Sequence, residues 1–561
     1  MNNRVLVIGD DTRSFLATVR SLGRAGLEVH AAPYDFASPA LRSRYIRRVH
    51  RLPYYLDGGA DWLAAMQALL GAEQFDLVIP CEERSLLPLH LHRDVLEPLA
   101  RLAIPDTAGI ANFFDKERTR ALAQQCNVPV AAGRVLDRAT TASALATELG
   151  LPLIVKPRHS YDWPELYVRT SARLLDSHAA LDAWLDQHRD ALEQYLAEQV
   201  FPGHGLGVSV LCAAGTVVLA FEHERVHEEF GSSFYRRSVP LHPARLAALQ
   251  SMAAVSRYTG LAMFEFKENR TDGNWILLEV NARPWGSMPL PVSLGVDFPM
   301  ALYRLQVLGE APVDRGYVPD RYCRNLLNDF WQLRKSLARQ SLASAAALRA
   351  MAAWAWSFRR ILIGHERNDL WVRDDTAPAW RELRDFLRDR LDGLRSRLLG
   401  PRPSSIAITP GRVRRVLFVC QGNICRSPYA EHRLHALLGP DSGIHVQSAG
   451  MLPRNRRPSP PQAISAAASR GLDLLPHRSQ VATDAMVEGA DLILVFDRIN
   501  VDSLHKRHPD AMAKTRLLDG SAEIADPDGK DISVFTTTYQ HIDTCMQTLV
   551  AELAPGKVVH A

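Results

Sequence analysis

The sequence predicts an α/β protein, and two features support that prediction. Short apolar runs that end in turn residues alternate with helical stretches over the first hundred residues, beginning with the run 4–10. Such runs are typical of parallel strands buried on both faces, and their alternation with helices is typical of an open, doubly wound sheet. A second unit of this kind begins with the apolar run 414–420. An α/β unit is therefore expected at each end of the chain.

Length and composition exclude several other classes of protein. A chain of 561 residues, 47% hydrophobic and 23% charged, is too long for one core and too apolar for a disordered polymer. The net charge of +4 indicates no strong overall field, so no nucleic-acid partner is expected. Seven cysteines, an odd number, fit free thiols in a reducing compartment. The first residues do not resemble a secretory signal, and no apolar run approaches the ~18 residues of a membrane span. A cytoplasmic protein with no transmembrane segment is therefore expected.

The individual elements follow from local patterns. Helices are expected over 14–26 and 62–70. The predicted strands are short apolar runs, and they cover 4–10, 27–32, 75–80, 153–157, 208–211, 216–222, 262–268 and 275–281. The last four form two hairpins, and the second turns at Asp272-Gly273, a strong hairpin signal between apolar strands.

Five segments are predicted along the chain. They are an N-terminal α/β subdomain, a central α+β region, a helical region, a linker and a C-terminal domain, which cover 1–110, 111–310, 311–400, 401–412 and 413–561. In the helical region, 343–364 mixes alanine and tryptophan with arginine. Such a helix could rest weakly on a membrane surface or pack against its own domain, and packing is the preferred interpretation.

A thiol motif near the C-terminus is the strongest functional signal. Cys420 ends a predicted strand, and Arg426 follows after five residues, where a tight loop opens a helix. Backbone N–H groups of such a loop form an anion-binding nest, and the Arg426 guanidinium can hold two phosphate oxygens. This positive environment favours the thiolate of Cys420, which is the competent nucleophile. Ser427 can donate a hydrogen bond to the sulfur, and Asn423 can brace the loop.

With its neighbouring segments, the motif closely resembles the low-molecular-weight protein-tyrosine phosphatase family over about 412–561. The shared segments include the loop 420–427, Ser448-Ala449-Gly450, His477-Arg478-Ser479 and Asp526-Pro527. The resemblance implies a four-stranded parallel sheet and a phosphocysteine formed on Cys420. Asp526 would act first as general acid and then as general base, while Arg426 holds the phosphoryl group. The loop residues expected to support the phosphate are Gly422, Asn423, Ile424, Cys425 and Ser427.

The substrate of this domain stays open between a phosphorylated protein tyrosine and a phosphorylated metabolite. Ile424 matches tyrosine-type members of the family, but Asp528 and Gly529 stand where those members carry aromatic residues. The basic stretch 452–461 is either an ordinary solvated loop or a wall that favours an acidic or multiply phosphorylated substrate. Cys425 either pairs reversibly with Cys420 under oxidation or is a small core residue.

A cluster of oxygen ligands is predicted on the second hairpin. Glu265 and Glu279 can lie side by side on one face of the paired strands, and Asn281 adds an amide oxygen. Oxygen ligands suit Mg²⁺, which also bridges nucleotide phosphates. Arg283 is placed to reach a phosphate or a bound carboxylate.

Together with Asp115-Lys116, Lys156-Pro157 and 198–201, this cluster resembles the ATP-grasp superfamily over about 1–310, and most of all its carboxylate-amine ligase type. The resemblance implies an open parallel sheet followed by two α+β subdomains that clamp ATP. Implied ATP contacts are Lys116, Lys156, Glu198, Gln199, Val200 and Arg283, and implied Mg²⁺ ligands are Glu265, Glu279 and Asn281. The implied reaction converts a small-molecule carboxylate to an acyl phosphate, which an amine or another nucleophile captures.

One departure from that superfamily keeps two functions open. Relatives carry a glycine-rich flap after the Lys-Pro pair, whereas 158–165 holds no glycine, although Ser160 or Arg158 could substitute by its side chain. The preferred prediction is a bifunctional enzyme that joins an ATP- and Mg²⁺-dependent ligase to a phosphatase. The alternative is a signalling tyrosine phosphatase regulated by an ATP-binding module without turnover.

Overall fold

The computed structural model describes residues 2–161, 166, 171–229, 232–338, 345–399, 408–409 and 411–554. They divide into two compact units. The first unit comprises Met1–Pro33, Pro39–Arg51 and Met66–Trp380, and the second comprises Tyr34–Ser38, Leu52–Ala65 and Arg381–Ala561. Most of the predicted linker 401–412 and half of the stretch 158–165 lie outside the described residues. The α/β class predicted from the sequence is confirmed.

A five-stranded parallel sheet opens the chain, as the apolar runs predict. Its strands are β1 (Arg4–Ile8), β2 (Glu28–Ala32), β3 (Ile46–Val49), β4 (Leu77–Pro80) and β5 (Arg101–Leu102). The helices of this part are α1 (Ser14–Arg24), α2 (Ala60–Glu73), α3 (Glu83–Leu91) and α4 (Arg93–Leu96). The strand order is β3-β2-β1-β4-β5. Sequence patterns missed β3 because it is an edge strand with three exposed residues out of four, so it has no apolar run.

A small antiparallel sheet follows two helices. The elements are α5 (Thr107–Phe113), α6 (Lys116–Gln125), β6 (Gly133–Val135), α7 (Ala142–Leu149), β7 (Leu153–Pro157), β8 (Arg173–Leu175), α8 (His178–Gln187) and β9 (Tyr195–Gln199). The sheet order is β6-β9-β7-β8. Leu153 and Val155 of β7 pack into the core with the helices α7 and α8. Because side chains alternate along a strand, Lys156 lies on the opposite face of this sheet.

A seven-stranded sheet forms the rest of the first unit. Its elements are β10 (His204–Ala213), β11 (Thr216–Glu229), β12 (Ser232–Ser238), α9 (Pro243–Ser256), β13 (Gly260–Glu268), β14 (Trp275–Asn281), α10 (Pro289–Ser293) and α11 (Phe298–Tyr303). Both predicted hairpins, β10–β11 and β13–β14, are present. Glu265 of β13 pairs directly with Glu279 of β14, and a register shift follows at Phe266, which pairs with Leu277. The shift leaves Leu278 as the extra residue of a bulge.

The predicted helical region 311–400 is mostly helical but also completes this sheet. Its elements are β15 (Tyr322–Arg324), α12 (Leu326–Ala338), α13 (Ala345–Ser357), α14 (Arg359–Leu362), β16 (Glu366–Asn368) and α15 (Ala377–Leu399). The sheet order is β14-β13-β10-β11-β12-β15-β16. The two extra strands have no apolar signal because they carry a buried ion pair, Arg324 with Glu366 at 2.6 Å.

The stretch 343–364 presents two different faces. Trp354 points inward and donates from its indole N–H to Asp329 Oδ2 at 2.7 Å, which agrees with packing against its own domain. Trp356 is 67% exposed and Leu362 is 87% exposed on the other side. Across the residues that the structure describes, no helix combines the length and the apolar character that crossing a membrane requires.

The second unit contains the predicted four-stranded parallel sheet. Its elements are β17 (Arg415–Cys420), α16 (Arg426–Leu438), β18 (His445–Gly450), α17 (Pro461–Ala468), α18 (Asp484–Gly489), β19 (Leu492–Val495), α19 (Arg498–Arg507), β20 (Thr515–Leu517) and α20 (Ile532–Leu553). The order is β18-β17-β19-β20. Val416, Phe418 and Cys420 join one core cluster with α16, α17 and α20, whereas Leu417 and Val419 join another on the opposite face. Helices therefore cover both faces.

Candidate active sites

The thiol loop connects the end of β17 to the start of α16. Cys420, only 3% exposed, is the last residue of the strand, and Arg426 is the first residue of the helix. The backbone N–H of Asn423 donates to Cys420 Sγ at 3.2 Å, and Ser427 Oγ lies 3.1 Å from the same sulfur. The loop therefore surrounds the sulfur with donors, which stabilise a thiolate.

A chain of buried hydrogen bonds fixes which way the Ser427 hydroxyl points. Asn423 Nδ2 donates to Ser427 Oγ at 2.9 Å and to Ser448 Oγ at 2.8 Å. Ser448 in turn donates to Glu431 Oε2 at 2.6 Å. Because Ser427 Oγ already accepts from Asn423, its own proton is available to the sulfur, and an ionised sulfur can only accept.

Asn423 is the residue that ties this loop to the rest of the unit. It is fully buried and has a left-handed backbone, with φ of 52°. Its side-chain oxygen accepts the backbone N–H of Gln480 at 2.9 Å, and its carbonyl oxygen accepts from His477 Nε2 at 2.8 Å. Asparagine tolerates the left-handed region better than most residues. One side chain thus holds the loop through both its amide and its backbone.

Replacing Asn423 with alanine should therefore destabilise the second unit and impair its loop. Alanine removes the amide bonds to buried groups and strains the left-handed backbone, at a cost of about 2–4 kcal/mol in unfolding free energy. Asn423→Gly is the matched control, because glycine also lacks the amide but adopts the left-handed backbone without strain. The unfolding free energy of this variant should be higher than that of Asn423→Ala by about 1 kcal/mol. Urea melts of the full chain measure both; equal stability of Asn423→Ala and the parent would contradict this role.

Arg426 is held between two carboxylates. Its Nη1 donates to Asp497 Oδ2 at 2.5 Å and to the Ile524 carbonyl at 2.8 Å, and its Nη2 donates to Asp526 Oδ2 at 2.6 Å. Burial opposes its charge, but the negative groups Cys420, Asp526 and Asp497 outweigh it and raise the pKa of Arg426. Its Nε–H is buried and has no hydrogen-bond partner within the described part of the chain. A buried, unsatisfied donor is costly, so this N–H is suited to a bound anion.

The other residues predicted for this site each make a different contact. The Asp526 side chain is 43% exposed, and one of its oxygens accepts the backbone N–H of Asp528 at 3.3 Å. Cys425 is a buried core residue, and burial raises the pKa of its thiol well above the usual range. Ile424 packs at the edge of the same core. The carbonyl of Gly422 accepts from Arg457 Nη2 at 2.7 Å.

Sequence reasoning missed three residues that act on this loop. Asp497 holds Arg426, Glu431 ends the hydrogen-bond chain, and Arg457 contacts Gly422. Asp497 had a usable signal, because it follows the apolar strand β19, and the carboxyl ends of parallel strands meet at one edge of a sheet. Arg457 belonged to the stretch 452–461, which was interpreted only as a whole.

The second candidate site lies on the hairpin β13–β14. Glu265 and Glu279 are cross-strand neighbours, as predicted from the hairpin, and Asn281 Nδ2 donates to Glu265 Oε1 at 3.1 Å. Arg283 Nη2 donates to Asn281 Oδ1 at 3.2 Å. Arg225, which the sequence did not single out, donates to Glu265 Oε2 at 2.5 Å. The structure thus brings the predicted oxygen ligands together and adds one arginine.

The two carboxylates differ in their ionisation. Burial and the charge of Glu279 raise the pKa of Glu265, against the pull of Arg225. Burial also acts on Glu279, but Lys116, Lys156 and nearby arginines outweigh it and lower the pKa of that carboxyl. Glu279 is therefore the more strongly anionic of the pair and the better ligand for a cation.

Both predicted lysines lie beside this carboxylate pair. Lys156 Nζ donates to the carbonyl of Leu278, freed by the bulge, at 3.3 Å. Lys116 Nζ donates to Ser160 Oγ at 3.1 Å. A cavity of about 30 Å³, room for one water molecule or metal ion, is lined by Lys116, Ser160, Glu279 and Asn281 among others. Ser160 therefore lies beside Lys116 at the edge of this cavity.

Three of the implied ATP contacts, Glu198, Gln199 and Val200, lie on or next to β9. Glu198 is buried, and its carboxylate pairs with Lys156 Nζ at 2.6 Å and with Arg120 Nη1 at 3.4 Å. Gln199 is exposed, and its backbone N–H donates a hydrogen bond to the Ala132 carbonyl at 2.8 Å. Val200 follows the strand and is half-buried. In this arrangement Glu198 positions the Lys156 ammonium.

Comparison with known proteins finds sequence relatives for residues 415–558 and solved structures that are similar to parts of the chain. Residues 415–558 match the model of the family described as low molecular weight phosphotyrosine protein phosphatase. The probable low molecular weight protein-tyrosine-phosphatase EpsP of Ralstonia nicotianae is 37% identical over 133 residues, which are 23% of this chain and 89% of that protein. The structure of Vibrio vulnificus Wzb in complex with benzylphosphonate is 34% identical in sequence to this chain. The match covers 25% of this chain and 99% of the Wzb chain, with a TM-score of 0.24. The crystal structure of the L-amino acid ligase from Bacillus licheniformis is 18% identical in sequence to this chain. The match covers 57% of this chain and 78% of the ligase chain, with a TM-score of 0.42.

Proposed function

Because the chain belongs, through residues 415–558, to the low molecular weight phosphotyrosine protein phosphatase family, we propose that its second unit hydrolyses phosphotyrosine or a similar phosphomonoester. The observation that carries this proposal is the geometry of the loop, in which Asn423 N and Ser427 Oγ lie within 3.2 Å of Cys420 Sγ and the Nε–H of Arg426 is buried without a partner among the described residues. A phosphoryl group bound in the loop supplies the missing acceptor. The family name of the relatives favours phosphotyrosine over other phosphomonoesters.

In the proposed mechanism the Cys420 thiolate attacks phosphorus, and Asp526 protonates the leaving oxygen. The ionised Asp526 then takes a proton from the water that hydrolyses the phosphocysteine. In this structure the Asp526 carboxylate is paired with Arg426. The side chain is partly exposed, so it is free to turn toward a leaving group. Asp497 keeps its own bond to Arg426, so the guanidinium remains oriented when Asp526 moves. Ser427 stabilises the sulfur when it leaves phosphorus.

Asp526→Asn tests the general acid. Asparagine cannot donate a proton to the leaving oxygen, so kcat/KM, which reports the attack on phosphorus and not the later hydrolysis of the phosphocysteine, should fall about 10²–10³-fold on phosphotyrosine, whose leaving group is poor. The fall should be much smaller on p-nitrophenyl phosphate, because p-nitrophenolate leaves without full protonation. Steady-state kinetics on both substrates measure the difference.

Asp528→Asn is the matched control, because it changes an aspartate two positions along the same loop. It should keep kcat/KM on both substrates within about threefold of the parent, which is far smaller than the change expected on loss of a general acid. Equal losses of kcat/KM in Asp526→Asn on both substrates would assign Asp526 a role in holding Arg426 and not in protonating the leaving oxygen.

For the first unit, we propose an ATP- and Mg²⁺-dependent ligase that activates a small-molecule carboxylate for capture by an amine or another nucleophile. The residues fit a bound magnesium ion, since the donors are all oxygens on adjacent strands and Glu279 is kept anionic. Glu265, Glu279 and Asn281 would hold the ion, which would supply charge neutralisation during phosphoryl transfer. Lys116, Ser160 and Arg283 would bind phosphate oxygens, and Glu198 would hold Lys156 in place.

A regulatory module that binds ATP without turnover is the second candidate. Two observations favour it: the stretch 158–165 has no glycine, and the Lys156 ammonium is already paired with Glu198 at 2.6 Å. ADP formation by the full chain, measured with a panel of carboxylates and amines, separates the candidates. A ligase forms ADP with at least one pair of substrates. A sensor forms none but changes phosphatase activity when ATP is added.

A further inference from the structure

Three side chains with metal-ligating atoms meet between β20 and α20, outside both sites described above. His541 and Cys545 are four residues apart on α20, so they lie on one face of that helix. Asp519 follows β20 by two residues. One ligand atom of each residue, a nitrogen, a sulfur and a carboxylate oxygen, lies within 4.8 Å of the other two.

The Asp519 carboxylate is oriented so that one oxygen is held and the other faces the helix. Its Oδ1 accepts the backbone N–H of Ala522 at 2.9 Å and the Ser521 hydroxyl at 3.3 Å. Its Oδ2 lies 2.5 Å from His541 Nε2 and 3.8 Å from Cys545 Sγ. Fixing the first oxygen by hydrogen bonds is how proteins orient a carboxylate that binds a metal.

Burial is graded across the three ligands. Cys545 is 8% exposed, whereas the His541 side chain is 38% exposed. The sulfur therefore forms the inner end of the cluster and the imidazole the outer end, which leaves an entry path for an ion.

A second cluster lacks these properties. His30, His50 and Glu73 also have ligand atoms within 4.8 Å of one another. However, the Glu73 carboxylate is paired with Arg4 at 3.3 Å and with Arg48 at 2.7 Å. Two guanidinium groups already neutralise that carboxylate, so a cation gains little there.

We propose that Asp519, His541 and Cys545 bind Zn²⁺, with the fourth coordination position open to water. Mixed sulfur, nitrogen and oxygen donors suit this borderline-soft ion, and three protein ligands are enough for an open tetrahedral site. On binding, bonds form from zinc to Asp519 Oδ2, His541 Nε2 and Cys545 Sγ. The thiol proton leaves to solvent, and the proton between Nε2 and Oδ2 is also released to solvent, so that the imidazole binds zinc through Nε2 with its proton on Nδ1. Metal–ligand bonds of about 2.0–2.3 Å require Nε2 and Oδ2 to separate by roughly 0.8 Å, within reach of side-chain rotation.

The site would connect α20 to the segment that carries the proposed general acid. That segment begins at Asp519 and continues to Ile524 and Asp526, both of which bind Arg426. A metal that binds only the folded unit stabilises it, so Zn²⁺ should raise the melting temperature of the second unit.

Cobalt substitution tests the proposal, because a thiolate ligand gives Co²⁺ an intense charge-transfer absorption that oxygen and nitrogen ligands do not. The parent for the test is the full chain with Cys420→Ser, so that the active-site thiol cannot contribute. Titration with Co²⁺ should produce this absorption at one equivalent, and Zn²⁺ should remove it by competition.

Variants identify the ligands. In the same background, Cys545→Ser should lose the absorption and His541→Gln should weaken Co²⁺ binding at least about tenfold, while Cys126→Ser should change neither. Circular dichroism checks that each variant is folded. If Cys545→Ser unfolds because its position is buried, His541→Gln, at a half-exposed position, still tests the site. Absence of the absorption in the parent, or its survival in His541→Gln with unchanged affinity, would overturn the proposal.

Discussion

Replacing Cys420 with serine is expected to abolish the phosphatase activity of the full chain. A serine hydroxyl in the same position is not ionised near neutral pH, whereas the surrounding loop is arranged to stabilise a thiolate through Asn423 and Ser427. The value of kcat should fall by about four orders of magnitude or more, as for the loss of other catalytic nucleophiles. Release of p-nitrophenolate from p-nitrophenyl phosphate at saturating substrate measures the loss.

Two controls separate loss of the nucleophile from loss of the fold. Inorganic phosphate should still bind to Cys420→Ser, because Arg426 keeps its bonds to Asp497 and Asp526. Cys126→Ser, a change at a half-buried cysteine of the first unit, should leave the rate unchanged. Residual activity above about 1% in folded Cys420→Ser would assign the attack on phosphorus to another group, given the expected loss.

The thiol loop was predictable because its chemistry lies in one short segment. Eight consecutive residues, 420–427, hold the nucleophile, the guanidinium and the bracing amide, and the strand–loop–helix pattern around them is local. The hairpin β13–β14 was predictable for a similar reason. Its Asp-Gly turn sets the pairing as far as Phe266 with Leu277, whereas the bulge at Leu278, which no local pattern marks, completes the placement of Glu265 opposite Glu279.

The unpredicted parts depend on contacts between segments distant in the chain. Asp497 reaches Arg426 across 71 residues, and Arg225 reaches Glu265 across 40. No local pattern marks Arg225, and the only signal for Asp497 is its position just after the apolar strand β19. The strands β15 and β16 were missed for a different reason, since Arg324 and Glu366 neutralise each other in the interior and leave no apolar run to detect.

Glu279→Gln is expected to remove Mg²⁺-dependent nucleotide binding by the first unit. Glutamine keeps the size of the side chain and loses its charge, which the surrounding lysines and arginines hold in the ionised form by lowering the pKa of Glu279. An anionic oxygen is the ligand that Mg²⁺ prefers, so the affinity for MgATP should fall about 10²-fold, and ADP formation should fall with it. Calorimetric titration of the full chain with MgATP measures the affinity without knowledge of the carboxylate substrate.

Glu268→Gln provides the matched control on the same strand. Glu268 also lies on β13, but its carboxylate pairs with Arg245 at 2.5 Å and not with the ligand cluster. This variant should bind MgATP as the parent does, and p-nitrophenyl phosphate hydrolysis should be unchanged in both variants, because the thiol site contains neither glutamate. If Glu279→Gln bound MgATP with parental affinity and still formed ADP, the oxygen cluster on β13–β14 would not be the magnesium site. Loss of ADP formation with parental affinity for MgATP would instead place Glu279 in the transfer step alone.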